Sequence, residues 1–428
     1  MAEVKPFKGI FYNQKLVRIE DVVSPPYDVI SEEEMSSLIQ RSPYNVVRLI
    51  LGKKENWIKT AAANFNAWLE KAILIPDSQE AIYPYYMEYT ANGQTRVQRG
   101  LIARVRVESF DKGVILPHEK TFSKTVSERL QLLKTTQANF SQVYGLYDDK
   151  NNEIFSFLDP FVNTLPPFIE VKEETGAVIH RVWRVVDKKA IKTLQELIRD
   201  KKIIIADGHH RYRTALVYKE EMTKQFPEAP PDASFNYVSM YLSNLNDEQL
   251  TVLPIHRLLP ATSLPDFSLE TFIKTAKQFF NIEVCEEEFV FWSRLRRVGK
   301  KEKAIGLYCQ DTPQKFYVFI LKGTNWADDL HPALKNLDVM VLTKLILKNI
   351  LGLSEAQLNQ ENFIKYVHND QKAINLVREG QCKVAFLLNP TKPEQLREMV
   401  LSSHLMPRKS TYFYPKILTG LIINSLKL

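Results

Sequence analysis

Apolar residues recur along this chain in two rhythms. Helical spacing over residues 57–73, 126–137, 188–199 and 209–224 predicts amphipathic helices, each with one stripe to bury. Alternating or β-branched runs at 81–90, 95–108, 142–147, 201–206 and 235–242 predict strands. Asn92-Gly93 between the first two is a hairpin signal, and 168–187 predicts a second hairpin that turns near Thr175-Gly176. Ser31, with Glu34 three residues on, predicts a capped helix start, so the Glu32-Glu33-Glu34 run reads as its solvated first turn. Another strand is predicted over 251–259. A proline-bearing stretch, 260–267, then interrupts the pattern. Beyond it come a helix at 269–280, a hairpin across Asp311-Thr312-Pro313, helices near 338–350 and 371–379, a strand at 383–388 and a helix at 393–402. The pattern predicts an α+β (mixed α/β) protein of two domains, 1–260 and 268–428, joined at the proline stretch.

Length agrees with two domains, because 428 residues exceed what one core usually serves. A net charge of +7 is a mild excess over this length. It suits an anionic ligand without demanding nucleic acid, and no basic run forms a tail. Cys285, Cys309 and Cys382 are isolated, with no spacing that suggests zinc or a disulfide framework, so a reducing cytoplasm is the expected compartment. The first residues lack the apolar core of a signal peptide, and no stretch is apolar enough for a membrane span.

The segment Ile203 to Leu216, IIIADGHHRYRTAL, holds the densest chemistry. A buried strand ends in Asp207-Gly208, which turn the chain into a helix that Asp207 is placed to cap. His209, His210, Arg211, Tyr212 and Arg213 crowd the first helical turns. Free N–H groups and the positive end of the helix dipole favour an anion there, and guanidinium and imidazole groups add charge-assisted donors for phosphate. Asp207 with one His beside a phosphate also offers a place for a hard cation.

Four other segments carry candidate chemistry. SPPYDVIS holds Tyr27 and Asp28 on a rigid turn, where Asp28 suits a general base or a Mg²⁺ ligand. PHEKT offers His118 and Glu119 as an acid/base pair, with Lys120 and Thr121 as anion donors, and Glu128 and Arg129 follow on the next helix. PIHRLLP places His256 and Arg257 at a strand end, a common ligand position. MPRKSTYFYPK combines Arg408, Lys409 and Ser410 with aromatics suited to stacking on a base. No GxxxxGK[ST], GxGxxG after a strand, GxSxG or HExxH occurs, which removes the main support for common NTPase, Rossmann, hydrolase and zincin readings.

SPPYDVIS, PYNVVRL, PHEKT, ADGHHRY, PIHRLL and MPRKSTYFYPK together resemble a bacterial and archaeal family of conserved proteins known only as a domain of unknown function. ADGHHRYRTAL alone is similar to the box of the ParB/sulfiredoxin superfamily, above all to the DGHHR box of free serine kinases. That resemblance implies a ParB/sulfiredoxin-like N-terminal part and puts Gly208, His209, His210 and Arg211 on nucleotide phosphates. It also implies a catalytic base from an early loop, with Asp28 or Glu32 as nearest counterpart. Sulfiredoxin chemistry needs a cysteine in the box, and none lies near Gly208. A ParB-like DNA-binding helix-turn-helix is not recognisable.

The combined expectation is a phosphotransferase that uses ATP, ADP or another nucleotide on a small hydroxyl substrate such as free serine. Mg²⁺ would bridge the phosphates to Asp207 or Asp28, and Asp28, His118 or Glu119 would take the hydroxyl proton. Tyr27, Asp207, Arg213, His256, Arg257, Arg408, Lys409 and Ser410 complete the expected cofactor site. Two alternatives stay open: a nucleotide-binding regulator without turnover, and a phosphoester- or nucleic-acid-processing enzyme. The expected partners are a nucleotide and a small molecule, with no membrane. The sequence does not specify the oligomer.

Overall fold

The computed structural model describes residues 1–427 except 92, 120, 122, 175, 324, 325 and 361. Asn92 and Thr175, the expected turn residues, and Lys120 of the PHEKT segment lie outside the described residues. The chain is a mixed α/β protein and divides into two compact units. The first comprises Met1–Pro117, Thr121–Thr251 and Pro415–Leu428, and the second His118–Lys120 and Val252–Tyr414. The proline stretch falls inside the second unit, where Ala261–Ser263 form a 3-10 turn and Ser263 Oγ donates to the Phe363 carbonyl at 2.8 Å.

A nine-stranded sheet organises the first unit. Its strands are β1 (Val4–Lys5), β2 (Tyr83–Ala91), β3 (Gln94–Arg106), β4 (Ile115–Leu116), β5 (Val143–Tyr147), β6 (Ile169–Lys172), β7 (Val178–Val182), β8 (Ile203–Asp207) and β9 (Tyr237–Asn244). They lie in the order β4-β8-β5-β9-β3-β2-β7-β6, and β1 pairs with the far end of β3. The pairs β8·β4 and β9·β5 are parallel and the others antiparallel. Strand alternation divides the residues between two faces. Leu101, Ala103, Val105, Val143, Ile203, Ile205 and Met240 form one apolar core with the buried stripes of two helices, α4 (Glu153–Thr164) and α5 (Lys188–Arg199), numbered here after three that precede them. Those three are α1 (Glu32–Arg41), α2 (Trp57–Glu70) and α3 (Ser123–Thr136), and α6 (His209–Gln225) follows.

The opposite face is aromatic and polar. Tyr83, Ile102, Tyr241 and Tyr144 form one row across four strands, with Tyr85 two residues along from Tyr83, and the four tyrosines are buried. The last residues of the chain lie against this group: the Leu418 N–H donates to Tyr85 Oη at 3.2 Å, and Asn424–Ser425 pair with Ala138–Asn139. Helices α3 and α6 pack together, as do α2 and α3.

In the second unit, six antiparallel strands run in the order β11-β13-β12-β15-β10-β14, where β10 is His256–Leu259, β11 Phe280–Cys285, β12 Ala304–Cys309, β13 Phe316–Leu321, β14 Lys365–Val367 and β15 Val384–Leu387. Phe291, Leu295 and Val298 of the helix Glu288–Gly299 and Ala373, Ile374 and Val377 of the helix Asp370–Arg378 bury against it.

Several expected elements change on folding. The strand 251–259 is broken into Thr251–Leu253 and His256–Leu259, because Pro254 has no N–H to contribute to a ladder. The helix 269–280 stops at Ala276, and the chain turns into strand β11. The helix 338–350 is one α turn, Asp338–Met340, continued with wider i→i−5 bonding over Val341–Ile350, as in the 2.9 Å bond from Leu351 N to Ile346 O.

Candidate functional site

Strand β8 buries Ile203, Ile204, Ile205 and Ala206, then slips in register against β5 between Ile205 and Asp207. That bulge turns Asp207 onto the aromatic face, opposite Tyr144. Gly208 follows at φ +85°, a conformation that L side chains resist. A Cβ there would also stand 2.7 Å from Arg211 Nε, so the glycine opens the space into which the Arg211 side chain folds back.

Asp207 does not cap α6. Gly208 takes the cap position, without a side-chain bond, and its N–H donates to Asp207 Oδ1 at 2.8 Å. Asp207 Oδ2 accepts from Lys416 Nζ at 3.1 Å and lies 3.7 Å from an Arg211 terminal nitrogen. Burial would raise this carboxyl's pKa, but Lys416 and then Arg211 outweigh it, helped by the Lys416 and Gly208 hydrogen bonds, and hold it well below the carboxylate range.

Arg211 donates through one terminal nitrogen to the Gln142 carbonyl. Its Nε and other terminal nitrogen are buried without a hydrogen-bond partner, although nine-tenths of the side chain is out of solvent. Arg129 of α3 is in the same condition. It donates to the Ile50 carbonyl at 2.7 Å and pairs with Glu128 at 3.2 Å, while its Nε stays unpartnered. Its guanidinium lies 4.4 Å from the Tyr27 ring centroid and 5.2 Å from that of Trp57. Thr214 Oγ1, one turn along α6 from Arg211, is a fourth buried and unpartnered polar atom beside them.

Arg129, Arg211, Thr214 and Tyr27 line one pocket of about 70 Å³, whose walls include Leu132, Leu133, Phe140 and Val238. The Tyr27 hydroxyl is pushed up to about 12, by burial first and then by Asp28, against a pull from Arg211 and Arg129. It therefore remains a neutral donor at physiological pH. Two arginines, a threonine and a tyrosine thus line a space whose walls are largely apolar. A buried donor without a partner costs about 1–3 kcal/mol, and more when charged. Such a cluster suits an anion with several acceptor oxygens.

The other expected residues of this unit are spread around the box. His209 is buried, His210 half-buried, Arg213 exposed and Asp28 exposed beside Tyr27. Asp207 is a poor metal ligand, because Lys416 and Arg211 already neutralise it. Among the described residues, no three His, Cys, Asp or Glu side chains are placed to hold a metal ion.

The remaining candidates group in the second unit and mostly hold one another. His118 is fully buried, with Nε2 3.1 Å from Thr411 Oγ1 and 3.9 Å from Glu119 Oε1. The Ser410 N–H donates to Glu119 Oε1 at 3.4 Å. Arg257 is tied to the framework. Its guanidinium donates to the carbonyls of Ile255 (2.7 Å), Lys409 (3.0 Å) and Arg408 (3.3 Å), so it shapes the loop on which Arg408 and Lys409 are exposed. Burial lowers its pKa to about 10, still cationic at neutral pH. Ser410 is buried and donates to the Pro407 carbonyl at 2.5 Å. His256 likewise has both ring nitrogens engaged: Nδ1 accepts the Leu388 N–H at 3.1 Å, and Nε2 lies 2.8 Å from Asp370.

Sequence reasoning did not select Lys416 or Thr214, and it left Arg129 undecided between solvent and site. Thr214 was within reach, since it lies one helical turn beyond His210 and Arg211 in the box. Lys416 carried no signal, because its role depends on a chain reversal some two hundred residues from its partner.

The fold is that of a mixed α/β protein, with a pocket lined by two arginines beside a strand-to-helix junction. The chain belongs to the family described as a protein of unknown function (DUF1015), whose model matches residues 4–340. A search of curated proteins finds no match. Among solved structures, a conserved hypothetical protein from Pyrococcus furiosus is similar at 12% identity and a TM-score of 0.35, covering 76% of this chain and 95% of its own. A free serine kinase in complex with AMP gives 12% identity and 0.35, covering 75% and 92%. SbnI with a C-terminal truncation, from Staphylococcus aureus, gives 10% and 0.36, covering 75% and 86%. Among the described residues, no helix is long and apolar enough to cross a membrane.

Proposed function

We propose that the first unit binds a nucleotide, ATP or ADP, through its phosphates and transfers a phosphoryl group to a small hydroxyl substrate. The observation that carries this reading is that two largely buried arginines, Arg211 and Arg129, line one pocket and each keeps at least one side-chain nitrogen without a hydrogen-bond partner. The resemblance of ADGHHRY to a phosphate-binding box supports it. Arg211 and Arg129 hold phosphate oxygens, Thr214 and Tyr27 donate beside them, and Gly208 gives Arg211 its room. Asp28, exposed on the rigid turn next to Tyr27, takes the proton of the acceptor hydroxyl. Catalysis of this kind is mainly positioning and charge stabilisation.

Calorimetric titration with ATP, ADP, AMP, CTP and inorganic phosphate tests the site. Arg211→Ala is expected to weaken nucleotide binding about 30- to 1,000-fold, the worth of one to two charge-assisted hydrogen bonds lost from a buried site. Unchanged affinity in a folded R211A protein overturns the phosphate assignment. Product release from ATP or ADP in a pool of amino acids tests the reaction. Turnover that needs one acceptor is the expected result, and tight binding without turnover identifies a nucleotide-dependent regulator instead.

A further inference from the structure

Among the described residues, Asp207 is the acidic side chain paired with Arg211, and it is positioned to disable it. A buried carboxylate beside a guanidinium ordinarily closes into a two-bond fork, which would consume nitrogens that here have no hydrogen-bond partner. Here it does not. Arg211 stays at 3.7 Å, outside hydrogen-bonding distance, while Lys416 holds the nearer oxygen at 3.1 Å and Gly208 N–H holds the other. Lys416 comes from the final segment of the chain, and that segment is fixed two residues on by the bond from Leu418 N–H to Tyr85 Oη. Tyr85 in turn lies 2.8 Å from His180 Nδ1, and His180 Nε2 lies 3.1 Å from Glu173. A buried polar chain therefore anchors the backbone that delivers the ammonium.

We propose that Lys416 is a positioning residue: it neutralises Asp207 so that Arg211 keeps its donors for an anionic ligand. The inference rests on the reading of the pocket as a phosphate site. It goes further by assigning ligand affinity to a side chain that does not line the pocket. Without Lys416, Arg211 is the other cation acting on the Asp207 carboxylate, and the guanidinium swings onto it.

Two measurements on the full chain test this, with Lys416→Met as the variant and ADP as the probe. In a crystal structure of K416M, the separation between Arg211 and Asp207 is expected to contract from 3.7 Å to a hydrogen bond of about 2.9 Å. A separation that stays at its present value overturns the proposal, and this readout needs no ligand. In titrations, K416M is expected to bind ADP about tenfold or more weakly with Arg211 intact, as loss of one charge-assisted contact implies. The double variant D207N/K416M, which removes the trap as well, is expected to recover to within about threefold of the parent protein. A double variant no better than K416M overturns the proposal. Failure of the phosphate reading looks different: R211A then leaves ADP binding unchanged whatever occupies position 416. If R211A abolishes binding while K416M leaves it intact, the site stands and the role of Lys416 falls.

Discussion

Asp207 and Asp338 are two carboxyl groups driven in opposite directions by their surroundings. Both are withdrawn from water, which raises a carboxyl. Around Asp207, an ammonium and a guanidinium reverse that effect, so its stabilising charge survives into acid and is lost only as pH falls through its lowered value. Asp338, in the second unit, has only weaker help from Lys303, Asn389 and Lys392, and burial pushes it up to about 6 from an ordinary 3.8. Between those two pH values the native protein holds more protons than the unfolded chain. Stability therefore falls as pH rises across that window, and the penalty is complete above about pH 6. Asp338→Asn is expected to flatten this dependence and to stabilise the second unit at pH 7.5. The full shift would be worth about 3 kcal/mol, but the residue keeps partial contact with solvent, so about 1–2 kcal/mol is expected. Urea midpoints at pH 5 and 7.5 check it, and equal shifts at both pH values would refute it.

At the scale of elements, the box depends on how tightly β8 lies against β5. Gly145 of β5 makes that fit: a Cβ there would meet Ile203 Cγ2 at 2.6 Å, Met240 Cε at 2.8 Å and Leu242 Cδ2 at 2.9 Å. Gly145→Ala is expected to cost about 1–3 kcal/mol through overpacking, read as a lower urea midpoint for the first unit. A loss below about 0.5 kcal/mol would mean that the layer yields. The elements that sequence patterning finds well are those with one clean rhythm. Helix α5 covers the span its periodicity predicts, 188–199, with Asp187 accepting from Ala190 N–H at 2.8 Å as its cap. Two of the longer helices escape it, as do several of a single turn. Pro160 sits inside α4, where it reads as a break, yet the buried Ile154, Phe155, Leu158 and Val162 hold the helix together. The helix Glu288–Gly299 leaves Phe289 82% exposed, which blurs the stripe made by Phe291, Leu295 and Val298.

The whole molecule draws on its last residues in a way no local pattern announces. Pro415–Leu428 group with the first unit, and Ile417, Leu418, Leu421, Ile422, Ile423 and Leu426 are buried. At about 1.5–3 kcal/mol for each buried apolar side chain, removing them forfeits an amount comparable to the roughly 5–15 kcal/mol that keeps a typical domain folded. A chain ended after Tyr414 is therefore expected to lose the cooperative folding of its first unit. Limited proteolysis and near-ultraviolet circular dichroism would show it, and a protease-resistant first unit in the shortened chain would contradict the assignment.

By itself, the sequence determined the mixed α/β class, most helix and strand positions, and the strand-turn-helix box with its glycine. Those features follow from hydrophobic period and from residue types that act over a few neighbours. Tertiary structure alone decided which of the basic residues face a pocket. It turned Arg257 and His256 inward as struts, because their donors met backbone carbonyls or a carboxylate before any ligand. It left nitrogens of Arg211 and Arg129 without partners. It also set Lys416 on Asp207, since an ion pair between positions 209 residues apart is fixed by the path of the chain and not by any local preference.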